Sequence, residues 1–205
     1  MVMIGGTDRL ERVIHVDNNS KAADGRLIAK ARNDSAAFVQ LYRRHYDAVF
    51  RYCVHRLFES QTAQDVTSAV FLSVVENFSR FRGDEQQFRS WLYKIATNAV
   101  NNHLRRAARR DVLLKRACKQ VNNQDSTDVS AEKLALLREA LLTLRPRYQT
   151  IITLRFFENL KLTEIAEALG CSAGTVRSQL ARALAKLREK LRVGEAGYMA
   201  GGMAK

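Results

Sequence analysis

The sequence predicts an all-α protein made of two small helical domains joined by a flexible linker. Three observations carry that expectation. Pro146 is the single proline and there are only ten glycines among 205 residues, too few breakers for a turn-dense all-β chain. Apolar residues recur at spacings of three and four over most of the length, the period of an amphipathic helix. That periodicity lapses in two polar stretches, 1–24 and 113–130, which cannot bury themselves. Hydrophobic residues make up 46% of the chain, too many for a disordered protein and enough for real cores.

The elements follow in order. Residues 1–24 show no sustained period and read as a tail with a short strand-like or helical scrap at Val13–Val16. The first domain is expected over 25–112. Its first stripe is Phe38, Leu41, Tyr42, Tyr46, Val49, Phe50, Cys53 and Leu57. A second helix carries Val66, Ala69, Val70, Val74, Val75 and Phe78, with Asp65 near its start, where a carboxylate suits the positive end of the dipole. Phe81-Arg82-Gly83-Asp84 reads as a turn. A third helix is expected from Gln87 to Arg110, with Phe88, Trp91, Leu92, Ile95, Ala99 and Leu104 as its apolar side. After the linker, 113–130, periodicity returns with Leu134, Leu137, Ala140, Leu141 and Leu144 and stops at Arg145-Pro146. The second domain is expected over 131–192, and the glycine-bearing residues 193–205 as a frayed tail.

Charge narrows the partner. Lys plus Arg is 34 and Asp plus Glu is 21, a net +13. A surplus of that size points to a polyanion. No run of 18 apolar residues is present and no signal-peptide pattern opens the chain, so a membrane span and export are not expected. The three cysteines, Cys53, Cys118 and Cys171, make neither a disulfide framework nor a CxxC pair. A cytoplasmic, reduced protein is the simple expectation.

The clearest motif runs from Leu162 to Ala183. Thr163 can cap a helix bearing Ile165, Ala166 and Leu169. Gly170 stands where a left-handed C-cap belongs, and Ser172 can cap a second helix that buries Val176, Leu180, Leu184 and Leu187. Two short helices, a Gly-containing turn and the small Ala166 at the crossing meet the steric needs of a helix-turn-helix. The second helix exposes Thr175, Arg177, Ser178, Gln179 and Arg182, side chains suited to base edges and phosphates. The plainer reading is an αα-hairpin with a solvated basic face. A second basic face lies on the third helix, where Asn98, Asn101, Asn102, Arg105, Arg106 and Arg109 sit away from Trp91, Ile95 and Ala99. Amides beside arginines fit base edges and phosphates together. Phe81, Phe88, Trp91 and Tyr93 can stack on unpaired bases or fill the core. Phe88 and Trp91 favour the core, whereas Tyr93 and the Arg82 loop are expected to be exposed.

Catalytic motifs of the GxxxxGK[ST], GxGxxG, HExxH and GxSxG kinds are missing, and the four histidines lack metal-ligand spacing. No enzymatic activity, metal or cofactor is expected.

Two segments together carry a family resemblance: Phe81-Arg-Gly-Asp84 … Phe88-Arg-Ser-Trp-Leu-Tyr-Lys-Ile-Ala-Thr-Asn98 … Leu104-Arg-Arg106, and Leu160-Lys-Leu-Thr-Glu-Ile-Ala-Glu-Ala-Leu-Gly-Cys-Ser-Ala-Gly-Thr-Val-Arg-Ser-Gln-Leu-Ala-Arg-Ala183. In that order, with a linker between, they resemble bacterial RNA polymerase sigma factors of the extracytoplasmic-function (ECF) group of the sigma-70 family. The resemblance covers about 25–110 and 131–192. It implies a sigma-2-like bundle and a sigma-4-like helix-turn-helix domain that bind core polymerase and direct it to promoters, with the polymerase doing the chemistry. It implies −10 contacts by Arg82, Lys94, Asn98, Asn101, Asn102, Arg105, Arg106 and Arg109, and −35 contacts by Thr175, Arg177, Ser178, Gln179 and Arg182. It places Asp65, Phe71 and Glu76 on the face for the clamp coiled coil of the largest polymerase subunit, and the second domain against the flap. It implies promoter DNA as a partner and no cofactor. Group habit adds an anti-sigma factor, commonly membrane-anchored. Two departures stand out. Ser68-Ala69 replaces a frequent Gln-Glu, which shifts the polymerase contact toward Asp65 and Glu76, and Gln179 replaces a frequent Arg. The alternative is a helix-turn-helix activator or repressor that is not a polymerase subunit. Such a protein would open with alternating strands and helices, where this one reads as successive helices.

A tether of about 20 residues averages roughly 25 Å end to end and reaches about 60 Å when extended. The domains can therefore either span two DNA patches or pack on one another.

Overall fold

Asp34 begins the first long helix by a local trade of hydrogen bonds. Its extended backbone ends a short helical segment at 27–31, and its carboxylate accepts the Ala36 N–H at 2.8 Å, satisfying a donor that the first turn leaves over. In this computed structural model, which describes residues 27–115 and 129–202, that helix is α1, Ser35–Leu57. It stops at Phe58, whose backbone is left-handed (φ 56°) and whose N–H returns to the Val54 carbonyl at 2.7 Å. A bulky residue there is strained, and the strain has a use. The Phe58 ring packs on the cluster of Leu141, Leu144, Ile152 and Ala183 in the second half of the chain.

Glu59 caps α2, Ser60–Phe78, by accepting the N–H groups of Gln61 and Thr62 at 2.8 and 2.6 Å. Those hydrogen bonds hold its carboxyl below the usual range. Asp65 therefore lies in the second turn rather than at the helix start. The expected turn at Phe81–Asp84 is present. Asp84 and Gln87 exchange side-chain and backbone hydrogen bonds at 2.9 Å each, a capping box. Gly83 has to be glycine, since a Cβ there would lie 2.6 Å from Gln87 Oε1 and 3.0 Å from Phe81 Cζ. From it runs α3, Glu85–Lys115.

The second half opens with α4, Val129–Leu142, and α5, Pro146–Ile152, with the proline in the first turn, where its missing N–H is not needed. One π-helical turn, Thr153–Phe157, follows. It swings Glu158 inward and ends at Asn159 with φ 53°, a conformation asparagine tolerates. Then come α6, Leu162–Leu169, and α7, Ala173–Gly202. Every element among the described residues is a helix, so the all-α expectation holds. Residues 193–202, read as a frayed tail, continue α7. The 1–24 tail and residues 116–128 of the linker lie outside the described residues.

The two halves do not hang apart. Ile151, Leu154, Leu160, Ile165 and Val176 of the second half join the cluster built by Leu41, Val49, Tyr52, Val70, Phe88 and Leu92 of the first. The joint is made chiefly by α6 lying on α3 and the π-helical turn lying on α1. Of the two possibilities left open for the domains, this structure takes the packed one.

Candidate nucleic-acid interface

The helix-turn-helix is built by caps and a buried spine. Glu164 closes the start of α6 by accepting the Lys161 N–H at 2.6 Å, so Lys161, and not Thr163, is the N-cap. Thr163 is exposed. Gly170 adopts φ 63°, ψ 43°, and the Cys171 N–H reaches back to the Ala166 carbonyl at 2.9 Å, the αL closure expected of a C-terminal glycine. Ser172 Oγ accepts the Thr175 N–H at 3.1 Å and starts α7. Val176 and Ala183 are fully buried beneath α7, and Ala166 is buried at the crossing.

This construction leaves Arg177, Ser178 and Arg182 on the open face of α7. The other two expected contacts are differently placed. The Thr175 hydroxyl pairs with Ser172 at 2.9 Å, and half-buried Gln179 accepts a hydrogen bond from Arg147 Nε at 2.7 Å. Arg147 was not singled out in the sequence. The signal was Arg145-Pro146-Arg147, two cations around the first turn of a helix whose other end is buried.

The second basic face rises from α3. Lys94, Asn98, Asn102, Arg105, Arg106 and Arg109 are exposed. Arg105 donates to Asn102 Oδ1 at 2.6 Å, tying two of them together. Asn98, Asn102, Arg106 and Arg109 rim a cleft of about 840 Å³ between α2 and α3, floored by Val66, Ala69, Ile95 and Ala99, with Asp65 on the opposite rim. Asn101 turns away from this cleft. It is half-buried and accepts from Arg56 Nη2 at 3.4 Å. Arg82 folds back on its own loop, donating to the carbonyls of Ser79 and Phe81 at 2.6 and 2.9 Å, with its side chain exposed.

Aromatic placement divides the expectations. Phe88 is 1% exposed and Phe81 7%, each ring in edge contact with the other, so both are core. Trp91 is partly buried against both rings. Tyr93, expected on the surface, is 3% exposed and donates its O–H to Glu158 Oε2 at 2.8 Å. The reason is tertiary, because the second half covers that face of α3.

On α2, Asp65 and Glu76 are exposed as expected. Phe71 is not. It is 5% exposed, with its ring 4.7 Å from Tyr42 and 5.8 Å from Tyr46. It shapes the face from below. Leu72 and Val75 are large apolar side chains that α2 presents, at 60% and 55% exposure, and Val39 and Tyr42 of α1 are exposed as well. The apolar stripes read from the sequence had placed Val75 and Tyr42 inside. Large apolar side chains left exposed suit an interaction surface rather than a core.

Ionisable groups in the interior are tuned away from reactivity. Burial, with Arg44 and Arg89 adding to it, lowers His45 to about 4, so the ring is neutral near pH 7. Burial pushes the Cys53 thiol up to about 11, the opposite of an activated nucleophile. Among the described residues no group of three or more His, Cys, Asp or Glu is arranged to hold a metal ion, and no helix is long and apolar enough to cross a membrane.

Comparison with known proteins gives the same two regions. Residues 41–110 match the family model described as Sigma-70 region 2, and residues 134–187 match Sigma-70, region 4. The chain is 32% identical over 164 residues to the RNA polymerase sigma-H factor of Pseudomonas aeruginosa, covering 74% of this chain and 84% of that one. It is 31% identical over 171 residues to the ECF RNA polymerase sigma factor BldN of Streptomyces coelicolor, covering 80% of this chain and 64% of that one's length. Among solved structures, the sigma factor RpoE in complex with the anti-sigma factor NepR from Bartonella quintana superposes with a TM-score of 0.62 at 20% identity, over 76% of this chain and 97% of that one. It has the same fold.

Proposed function

This chain belongs to the extracytoplasmic-function group of the sigma-70 family of RNA polymerase sigma factors, and on that premise we propose that α3 engages the −10 element and α7 the −35 element of its promoters. One observation carries the division of labour. Two separate faces, one on each half of the chain, bring arginines into the open beside polar side chains, Asn98, Asn102, Arg105, Arg106 and Arg109 on α3 and Arg177, Ser178 and Arg182 on α7. Arginine contacts to phosphates supply affinity without sequence, and amides and arginines at base edges supply selection.

In this reading Asn98 and Asn102 read or hold the opened −10 strand from the rim of the α2–α3 cleft, with Arg105, Arg106 and Arg109 on its phosphates and Lys94 and Arg82 at the near end. Arg177 and Arg182 do the reading at −35. Thr175, Ser178 and Gln179 flank them, and Arg147 orients Gln179. The exposed group of Asp65, Leu72, Val75 and Glu76 docks on the clamp coiled coil of the polymerase, and the second half meets the flap. The chemistry of transcription stays with the polymerase, and the chain itself needs no cofactor. An anti-sigma factor is a further proposed partner, since the fold neighbour RpoE is held by one.

Geometry adds a condition. The −35 and −10 elements lie 25 positions apart, about 85 Å along the DNA at roughly 3.4 Å per base pair. Two packed modules of this size have radii of gyration of about 12 and 11 Å, which puts their centres only about 30 Å apart. Promoter engagement in this reading requires the halves to part and the tether to stretch.

The test is transcription from sheared genomic DNA by purified core polymerase with and without the protein, with RNA 5′ ends sequenced. The expected result is a set of new start sites sharing two spaced upstream motifs. No new starts, with tight DNA binding by the protein alone, would favour a regulator that is not a polymerase subunit.

A further inference from the structure

The seam between the halves contains groups that interiors normally exclude. Arg56 of α1 is 2% exposed. Its Nη1 donates to Gln149 Oε1 at 2.5 Å and its Nη2 to Asn101 at 3.4 Å, and its Nε has no partner. Gln149 in turn holds the Leu144 carbonyl at 2.9 Å. The second such group is Glu158, 6% exposed. One carboxylate oxygen accepts the Tyr93 O–H at 2.8 Å and the other has no partner. The Glu158 carbonyl accepts from Arg89, which also lies 3.7 Å from Glu164.

A buried carboxylate with half its hydrogen-bonding capacity unused opposes the packing that buries it. The shape of the seam and the Tyr93 hydrogen bond favour closure, and the charge of Glu158 works against it. We propose that Glu158 is a charge-sensitive latch, setting the balance between this closed form, with the second half docked on α1 and α3, and an open form able to span two DNA sites. The role of the open form rests on the sigma-factor reading; the latch itself does not.

The groups around Glu158 fix the sign of the pH response. Arg51 and Cys53 of α1 and Arg89 and Tyr93 of α3 act on it directly, while His55 and Arg56 of α1 line the same seam and Glu164 of α6 lies 3.7 Å from Arg89. Burial raises the Glu158 carboxyl, against the Tyr93 hydrogen bond and the charges of Arg51 and Arg89. A pKa raised in the closed form favours the neutral acid there. Closure is then strongest below the ordinary carboxylate range and weakens as pH climbs through the raised value. His55, its ring centroid 4.2 Å from that of Phe157 and tilted 39° to it across the seam, responds in the opposite direction. Its pKa is lowered, by burial first and Arg51 second, so closure gains as His55 loses its proton and weakens as pH falls below its ordinary 6.5. A simple pH titration mixes the two groups. The difference between wild type and Glu158→Gln isolates one of them.

The experiment is small-angle scattering of the full chain between pH 5 and 9 for wild type, Glu158→Gln, Tyr93→Phe and Glu158→Lys, with helix content checked by circular dichroism. Glu158→Gln keeps the acceptor for Tyr93 and removes the charge. It should lower the open-to-closed ratio about fivefold or more near neutral pH and flatten the part of the response in which closure weakens as pH rises. Tyr93→Phe keeps the ring and strands the carboxylate, so it should raise the ratio by a similar factor. Glu158→Lys, set near the charges of Arg51 and Arg89, should open the chain outright and enlarge its radius of gyration. A Glu158→Lys radius equal to wild type overturns the latch. So does a Glu158→Gln variant that opens as Tyr93→Phe does, since the charge would then not be the lever. The same proteins assayed with core polymerase report on the sigma reading separately. A wild type that starts no promoter-specific transcripts defeats that reading, whatever the scattering shows.

Discussion

Along α1, the residues facing α2 and those facing the second half of the chain differ in kind. Leu41 and Val49 are at most 2% exposed and lie in a dry cluster with Val70, Val74 and Phe78 of α2. Each such side chain contributes about 1.5–3 kcal/mol by leaving water, and none asks for a polar partner. At the C-terminal end the same helix buries Arg56 and sets His55 against Phe157. That contact is specific, because Arg56 needs Gln149 and Glu158 needs Tyr93, but it gains far less per unit area, since charges must be desolvated. A core made of the first material holds permanently. The seam mixes that material, in Ile151, Leu154, Leu160 and Ile165, with buried charge, so it fixes one docking geometry and comes apart more readily than a wholly dry core.

Leu41→Ala should break the dry half of that comparison with the largest effect. It should cost about 2–5 kcal/mol in global stability, read from denaturant unfolding, and a loss below about 1 kcal/mol would show that packing around 27–31 and α2 is loose. Acid should have the next largest effect. His45 is held neutral with its pKa lowered to about 4. Its contribution is therefore complete above its ordinary value near 6.5 and lost as pH falls toward 4, a loss on the order of 3 kcal/mol. His45→Gln should remove that part of the slope, and an unchanged slope would place the titration elsewhere. Arg177→Ala touches neither core nor seam. It should weaken binding to the preferred −35 sequence by about 1–3 kcal/mol and relax selection there, leaving unfolding unchanged. Equal weakening on all sequences would make Arg177 a phosphate contact instead. Gly170→Ala should have the smallest effect. No atom stands within 4 Å of the added Cβ, so the cost is that of the left-handed backbone alone, about 1 kcal/mol, and a much larger loss would mean that the turn itself rearranges.

Much of the candidate site was legible because it lies on helix surfaces and is set by local rules. The caps at Ser172 and Gly170, the buried Val176, and the exposed Arg177 and Arg182 all follow from residue type and a 3.6-residue period. The amide and arginine face of α3 follows in the same way, save for Asn101. Misplaced residues were moved by contacts between helices. Tyr93 and Asn101 look like surface on an isolated helix, but the second half of the chain covers Tyr93 and Arg56 of α1 holds Asn101. Phe71, Tyr42 and Val75 all look apolar, and periodicity says which side of a helix they share without saying how far the neighbouring helix extends over them. Phe71 ended beneath the surface and Val75 on it. Thr163 is a capping residue type two positions late, because Glu164 closes the helix at Lys161 from inside instead.

Sequence alone determined the helical class, the two basic faces, the helix-turn-helix and the family, since each depends on residues close in the chain or on charge summed over it. Tertiary structure alone decided that the halves share a cluster, that Arg56 and Glu158 are drawn into the seam, and that Leu72 and Val75 are left outside. Those outcomes depend on pairs 65 to 93 residues apart, whose meeting no periodicity encodes. A buried charge is tolerable only where its partner arrives, and the partner is visible only once the chain is folded.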